Sequence, residues 1–510
     1  MTDTAPPIET ELRLAVPPEA RDALERHASF RELRKAETRH EVTTYFDTSD
    51  QTLARNGISL RVRRVGDASV QTVKLAGAQS GIATARGEWE CPVAGDTPEL
   101  MPLAGTPASA LVSAELADRL RPFFVTDIRR RILLLQPTDG SLVEAAFGEG
   151  AVRAGNACES ISELELELKQ GPPGPLYRLA LELAATAKLA IEPESKAERG
   201  RRLSTGTPPP VHKAEDLDLH GRLTGAAAAQ AIVDAALGHM LANIPAARAG
   251  RPEGVHQVRV AVRRLRAALR LFRPCLERRA HRRFDGELRR LGQVFGEARD
   301  WDVFALETLP AAEREAPGAD HVPLLVAAAE THRQAAHSAV RAELAGSAFT
   351  GLVLGLAVWV DEGAANPALL GNAALEQPIK TIAPELLDRL ADTVAKRGRH
   401  LDRASREDLH RLRKALKKLR YGVEFVEGLY KHRSVSGYLH PCKDLQERLG
   451  NVNDAAMTVH LAKRLAADGT PDVAVAVAAL AAWGKTRGDT EVRHVTRLWQ
   501  IFTLEPRAWT

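Results

Sequence analysis

In the first third of the chain, apolar and polar positions alternate with a period of two. Ile8–Val16, Ser59–Arg64, Ser69–Leu75, Arg86–Val93, Ile128–Leu135, Leu142–Phe147 and Ile161–Lys169 all show it, with Gly, Asp and Pro between them, and each predicts a strand. Helical patterns interrupt at Pro18–Ala28 and Pro175–Leu189. After Leu203 the run Ser204-Thr205-Gly206-Thr207-Pro208-Pro209-Pro210 predicts a stiff linker, and the composition changes across it. From about Gly225 the chain is rich in Ala, Leu and Arg at a helical period, and strand signals nearly vanish. The expected architecture is α+β and multidomain, with a β domain over 1–204, a Pro-rich linker over 205–224 and an all-α bundle over 225–510.

The helical part carries an internal two-fold repeat in its sequence. VHQVRVAVRRLR at 255–266 matches LHRLRKALKKLR at 409–420, an offset of 154. The same offset carries Gly296 onto Gly450 and Asp300 onto Asp454 without a gap, so two copies of one helical subdomain are expected, over about 225–375 and 376–510.

Charge sharpens the division. Over the 510 residues the net charge is only +4, but residues 1–205 hold 26 Lys and Arg against 30 Asp and Glu, and residues 206–510 hold 44 against 36. Opposite signs suggest different electrostatic tasks. The longest apolar runs, Phe349–Val360 and Val473–Trp483, fall short of the roughly 20 residues that span a bilayer, so no membrane partner is expected. The N-terminal MTDTAPPIETEL has neither a basic flank nor an apolar core, unlike a signal peptide. Cys91, Cys158, Cys275 and Cys442 are scattered, which suggests neither a zinc site nor a disulfide framework and makes the cytoplasm the expected location. Gly484-Lys485-Thr486 lacks the earlier glycine of a P-loop, since position 479 is Ala.

The strands concentrate charge on one face. Glu9, Glu11 and Arg13 share a face, as do Glu163, Glu165, Glu167 and Lys169; Arg61 and Arg63; Arg86, Glu88 and Glu90; and Arg129 and Arg131. One such strand is the ordinary solvated side of a sheet. Several at matched alternation, with both signs, suit a closed barrel with a charged interior. Clustered carboxylates repel unless a hard cation such as Mg²⁺ or Mn²⁺ lies between them, and cations opposite would hold phosphate oxygens. That pairing suits phosphoryl transfer.

Residues 8–203 resemble the CYTH family of triphosphate tunnel metalloenzymes. The likeness rests on Glu9-Thr10-Glu11-Leu12-Arg13, TTYFDTSDQTLARNGISLRVRR at 43–64, QTVK at 71–74, RGEWE at 86–90, SELELELK at 162–169 and SKAERG at 195–200. The resemblance implies an eight-stranded antiparallel tunnel that binds a triphosphate with a divalent metal. It implies catalytic roles around Glu9, Glu11 and Arg13, metal ligation by Glu9, Glu11, Glu165 and Glu167, with Glu163 as a further ligand, and phosphate binding by Arg61, Arg63, Lys74, Arg129, Arg131 and Lys196. Glu88, Glu90 and Glu144 would line the same tunnel. Two positions depart from the family pattern: Arg13 stands where ExExK has lysine, and Gly148 where an Asp is usual. An arginine stays protonated, so a role that needs a titrating lysine is lost.

The matched helices of the second part are almost purely cationic on one side. With His256 as origin, Arg259, Arg263, Arg266 and Arg270 fall within an arc of about 80°, opposite Val258, Leu265 and Leu269. Like charges at i+3 and i+4 cost stability unless an anion is bound. Few aromatics interleave, which argues against nucleic acid and for a flexible polyanion held by its backbone. With ARDWDV at 298–303 and LGNVNDA at 449–455, these helices make residues 225–505 resemble the CHAD family, whose members bind inorganic polyphosphate. The resemblance implies that His256, Arg259, Arg263, Arg264, Arg266, Arg270, His410, Arg413, Lys414, Lys417, Lys418 and Arg420 bind polyphosphate, with Asp300, Asp302 and Asp454 as buttresses. The combined expectation is an inorganic triphosphatase fused to a polyphosphate-binding domain, at home in the cytoplasm or on polyphosphate granules. The alternative is a non-catalytic or weakly catalytic protein that binds polyphosphate or targets the granule.

Overall fold

The computed structural model describes residues 8–30, 36, 38–75, 78–100, 103, 106, 109, 114–137, 140–315, 322–466 and 471–509. Most of the N-terminal stretch judged unlike a signal peptide lies outside them. The chain forms two compact units. The first comprises Met1–Val211, Ile244–Ala249 and Leu344–Asp361, and the second His212–Asn243, Gly250–Glu343 and Glu362–Thr510.

Ten strands build the first unit: β1 (Ile8–Ala15), β2 (Thr38–Asp47), β3 (Ile58–Val65), β4 (Ala68–Leu75), β5 (Ala78–Ser80), β6 (Ala83–Val93), β7 (Arg121–Leu135), β8 (Leu142–Ala154), β9 (Ala157–Gln170) and β10 (Ala190–Ile191). Their order is β10-β1-β9-β8-β7-β2-β3-β4-β6-β5, and β1 also pairs with β6. That extra ladder closes eight antiparallel strands into a barrel. Closure leaves no free edge on the eight and divides every strand into an inner and an outer row.

The outer rows are apolar. Phe46, Leu60, Val62 and Val73 pack with Leu53 of α2 (following α1, Pro18–Arg26), which spans Thr52–Arg55, and with Leu116 of α3 (Ala114–Arg119). Leu164 and Leu166 on β9 are fully buried, as are Leu176, Ala180 and Leu183 on α4 (Gly174–Thr186). One end of the barrel interior is also apolar. Tyr45, Phe124, Ile128, Val152, Ala154 and Ile161 cluster there, and Ala197 and Leu203 of α5 (Lys196–Thr205) pack against them as a plug. Ser195 starts α5 with a capping box, its side chain accepting from the Glu198 amide while Glu198 accepts from the Ser195 amide.

The rest of the chain is helical: α6 (Gly225–Ala242), α7 (Ile244–Arg248), α8 (Pro252–Leu271), α9 (Arg278–Val303), α10 (Leu309–Glu315), α11 (Pro323–Ala345), α12 (Ser347–Ala365), α13 (Pro367–Leu370), α14 (Ile379–Gly398), α15 (Arg406–Phe425), α16 (His432–Ala466) and α17 (Pro471–Leu504). The starts of α6, α8 and α9 recur at α14, α15 and α16 with the same offset of 154 that aligns the sequence motifs. Gly225–Arg248 and Ser347–Ala365 are long and apolar enough to cross a membrane, although counting apolar runs suggested otherwise. Of their most apolar windows, 67% and 56% are buried inside the protein, as in core helices.

Candidate functional site

The ladders fix which side chains enter the barrel. Glu11 lies opposite Glu167 and Arg13 opposite Glu165. Glu165 faces Ala146 and Glu163 faces Gly148, Gly148 faces Arg130, Thr43 faces Arg63, Ser59 faces Lys74, Lys74 faces Glu88, and Arg86 faces Glu9. Followed round the ring, one parity is consistent, and it places Glu9, Glu11, Arg13, Glu41, Arg61, Arg63, Lys74, Arg86, Glu88, Glu90, Arg130, Glu144, Glu163, Glu165 and Glu167 on the inner wall. Lys196, the first residue of α5, reaches them from the plugged end, contacting Glu163 and lying 2.8 Å from Glu165.

Arg129 and Arg131, expected to bind phosphate, are on the outer row. Arg129 is exposed opposite His40 and Glu149. Arg131 donates to Glu25 at 3.0 Å and lies over the Phe147 ring. Arg130 takes the inward place, 2.9 Å from Glu165 and 3.7 Å from Glu41. Three consecutive arginines carry no alternation, so only the register decides which one enters. Arg86 and Glu41 were also absent from the expected site, although Arg86 shares the Glu88 and Glu90 face.

Inside, each sign is set against the other. The Lys74 ammonium lies 2.6 Å from Glu9 and 3.1 Å from Glu88. Arg86 bonds both Glu9 and Glu11. Arg61 pairs with Glu88 at 3.3 Å and Arg63 with Glu90 at 2.7 Å. Arg13 is buried against Glu11, and its other amino group donates to the Pro193 carbonyl at 2.9 Å. Burial alone would raise the Glu165 carboxyl, but Lys196 and Arg130 hold it well below the usual range. Glu167 goes the other way. Burial pushes it up, and repulsion from Glu9 and Glu144 adds to that against the pull of Lys169. Glu167 thus feels Glu9 and Glu144 as like charges, and carboxylate oxygens gathered on one wall fit a hard divalent cation. Among the described residues, no three His, Cys, Asp or Glu side chains already converge as a metal site. Glu9, Glu11, Glu165 and Glu167 would hold such an ion by exchanging their arginine and lysine partners. It would supply charge stabilisation for phosphate oxygens.

In the second unit, α8 and α15 bring their basic faces together. The Lys417 amine is pushed down to about 6, by burial first and then by Arg263, Arg413, Arg259 and Arg420. Burial also lowers the Arg263 and Arg413 guanidinium groups, and their Nε atoms are buried without hydrogen-bond partners. A cluster this short of acids can accommodate an anion. The Gly-x-x-x-Asp motif acquires a physical role here. A Cβ on Gly296 would lie 3.7 Å from Arg259 Nε, and one on Gly450 3.7 Å from Arg413 Nη2, so each arginine lies over a bare glycine. One turn on, Asp300 lies 3.8 Å from Arg259, and Asp454 attracts Arg413. Asp302 does not join them; fully buried, it pairs with His337 at 2.7 Å and Arg333 at 3.3 Å.

Other expected ligands have different immediate partners. Arg264, a 100° step beyond Arg263, lies over the Phe425 ring and lines a polar cavity of about 280 Å³ with Asp216, Leu217, Glu424, Glu427 and Lys443. Arg266 pairs with Asp285 at 2.9 Å, and Lys418 feels Arg270 and Arg266 on the same side. Arg420 is held by Glu424 and Gln446. Lys414 neighbours His410. His256 is pushed down to about 4, by burial and then by Arg299, and burial also lowers His410, whose Nδ1 lies 2.8 Å from Asn453. At neutral pH His256 therefore offers a hydrogen bond rather than a positive charge.

Comparison with known proteins locates two families on the chain. The CYTH domain family matches residues 7–200, and the CHAD domain family matches residues 231–463. An inorganic triphosphatase of Haemophilus influenzae is 30% identical over 199 residues, which is 39% of this chain and 55% of that protein. The chain thus spans about half the length of that relative. The CHAD domain of the plant Ricinus communis is 29% identical, with a TM-score of 0.50, over 59% of this chain and 98% of that structure. A Hippeastrum protein with dominant triphosphatase activity is 17% identical, with a TM-score of 0.29, over 39% of this chain and 96% of that one.

Proposed function

Since the chain carries a CYTH domain over 7–200 followed by a CHAD domain over 231–463, we propose that its barrel is a metal-dependent inorganic triphosphatase and its helical domain binds long polyphosphate. The observation that carries the first half is the inner wall, where carboxylates and cations face each other within a closed ring. Arg61, Arg63, Lys74, Arg86, Arg130 and Lys196 grip the phosphate oxygens of tripolyphosphate, and Glu9, Glu11, Glu165 and Glu167 would hold Mg²⁺ or Mn²⁺. The apolar plug at α5 excludes water from one end, so the attacking water is held at the carboxylate wall. The second half rests on the Arg259, Arg263, Arg413 and Lys417 cluster, whose charge Asp300 and Asp454 balance only in part. A cytoplasmic or granule-bound location belongs to the same proposal.

The test is phosphate release from tripolyphosphate by the full chain with Mg²⁺ or Mn²⁺, set against ATP. Glu11→Gln should abolish turnover while melting like the wild type; unchanged turnover would remove Glu11 from the mechanism. A second reading, a binder with little catalysis, is favoured by Arg13, which ties Glu11 to the Pro193 carbonyl rather than leaving a titratable amine. Arg13→Lys separates the two. Equal or higher turnover supports the enzyme, whereas absent turnover in both forms supports the binder.

A further inference from the structure

The first compact unit includes two segments from the helical half of the sequence, Ile244–Ala249 and Leu344–Asp361. Each touches the β-domain part of that unit. A Cβ on Gly174, the first residue of α4, would meet the Asp361 carboxylate at 2.2 Å. Arg248, the last residue of α7, lies 3.1 Å from Glu192. The second contact leads to the inner wall.

Glu192 belongs to a short strap between β10 and α5. β10 pairs with β1 at Leu14 and Ala15. The Glu192 amide then donates to the Arg13 carbonyl at 3.0 Å, and the Arg13 guanidinium donates to the Pro193 carbonyl at 2.9 Å. The Glu194 amide donates to the Glu192 carboxylate at 3.1 Å, Ser195 caps α5, and Lys196 enters the barrel. One turn into α5, Arg199 returns to Glu192 at 2.8 Å. The Glu192 side chain is 4% exposed. Burial would raise its carboxyl, but Arg199 and Arg248 pull it below the usual range. One buried carboxylate thus receives the strap's own amide, the α5 guanidinium and the α7 guanidinium.

We infer that Arg248 is a positioning residue for the barrel: through Glu192 and Arg199 it fixes the start of α5, and so holds Lys196 against Glu163 and Glu165. No phosphate contact by Arg248 itself is involved. The inference rests on Lys196 being a phosphate ligand, as proposed above. Without Arg248, Glu192 keeps Arg199 and the Glu194 amide, so the strap loosens rather than unfolds.

The experiment uses the full chain with Arg248→Ala and Arg248→Lys, each alone and combined with Lys196→Ala. Arg248→Ala should raise the tripolyphosphate KM about 3- to 10-fold with kcat within about twofold, and Arg248→Lys should recover most of the loss. In the Lys196→Ala background the Arg248 effect should disappear, because both act through one contact. The same factor in both backgrounds, or an unchanged KM, would overturn the inference. Amide hydrogen exchange over Ser195–Arg199 gives a reading independent of catalysis. It should quicken in Arg248→Ala and return in Arg248→Lys. If the wild type hydrolyses no tripolyphosphate, the triphosphatase proposal fails and the exchange result alone decides; unchanged exchange rejects the positioning role in either case.

Discussion

Arg129, Arg130 and Arg131 differ by one step along β7 and by everything in environment. Arg130 is enclosed by Glu165 and Glu41, whereas Arg129 is exposed and Arg131 rests on Phe147 outside the barrel. Arg130→Ala should therefore raise the tripolyphosphate KM by about tenfold or more, the scale of losing a bond between charged groups. Arg129→Ala should stay within about twofold of wild type. A similar loss in both would mean that the inner parity is misassigned. Lys417 makes a second residue-level claim. Its amine is pushed down to about 6 in the anion-free protein, so near neutral pH it is largely uncharged. A phosphate oxygen beside it favours the charged form. Polyphosphate binding should then take up a proton above about pH 6, and affinity should fall as pH rises through that window. Calorimetry at about pH 7.5 in buffers of different ionisation enthalpy measures the uptake; Lys417→Met should abolish it. The same lowered value makes stability move with pH in the opposite direction. An unfolded lysine titrates near 10.4, so between that value and about 6 the unfolded chain holds the extra proton. The penalty is complete below about 6 and fades as pH climbs towards 10.4.

At the scale of elements, α5 decides the shape of the site. It lies against β7 because Gly200 has no side chain: a Cβ there would meet the Phe124 ring at 2.0 Å, and Phe124 is itself stacked on Tyr45 at 4.4 Å. Gly200→Ala must lift the helix or displace the ring, at a cost of about 1–3 kcal/mol. Because Lys196 begins the same helix, tripolyphosphate KM should rise together with the loss in melting temperature. Wild-type KM in a destabilised variant would show that the plug does not position Lys196. This helix was not legible in advance. Its stretch is strongly polar with a central glycine, although Ser195-x-x-Glu198 was a usable start signal. β2 was missed for a related reason. Thr38 and His40 are exposed on its outer row while Glu41 and Thr43 face in, so no apolar alternation marks its first half. β1 and β9 were legible because Leu12 and Leu14, and Leu164, Leu166 and Leu168, alternate with charged residues of the inner face. The basic helices were legible for the opposite reason, since the absence of acids over 256–273 and 411–420 is itself the signal. What their sequence could not give was the division between Arg263, in the cluster, and Arg264, beside Phe425.

At the scale of the whole molecule, the two anion sites proposed above rest on different balances of charge. In the barrel, the cations already have carboxylate partners within a closed ring, so a bound triphosphate would have to exchange one set of ion pairs for another. In the helical unit, cations outnumber the acids that buttress them, so a bound polyanion would fill an existing deficit and release its own counterions. Long-chain polyphosphate affinity of the full chain should therefore fall steeply with added salt, with a slope that counts phosphate contacts. If α8 and α15 grip one polymer, neutralising Arg259 and Arg263 should weaken binding about as much as neutralising Arg413 and Lys417. Neutralising all four should cost far more than either pair, because each strip holds the chain at high effective concentration for the other. Tripolyphosphate turnover, read in the same samples, should keep its wild-type KM, since none of the four faces the barrel interior. The measurement is affinity for long polyphosphate at several salt concentrations for the wild type, both double variants and the fourfold variant. Wild-type affinity and salt slope in the fourfold variant would show that these helices are merely solvated. A slope reduced only by one pair would instead confine the polymer to a single helix.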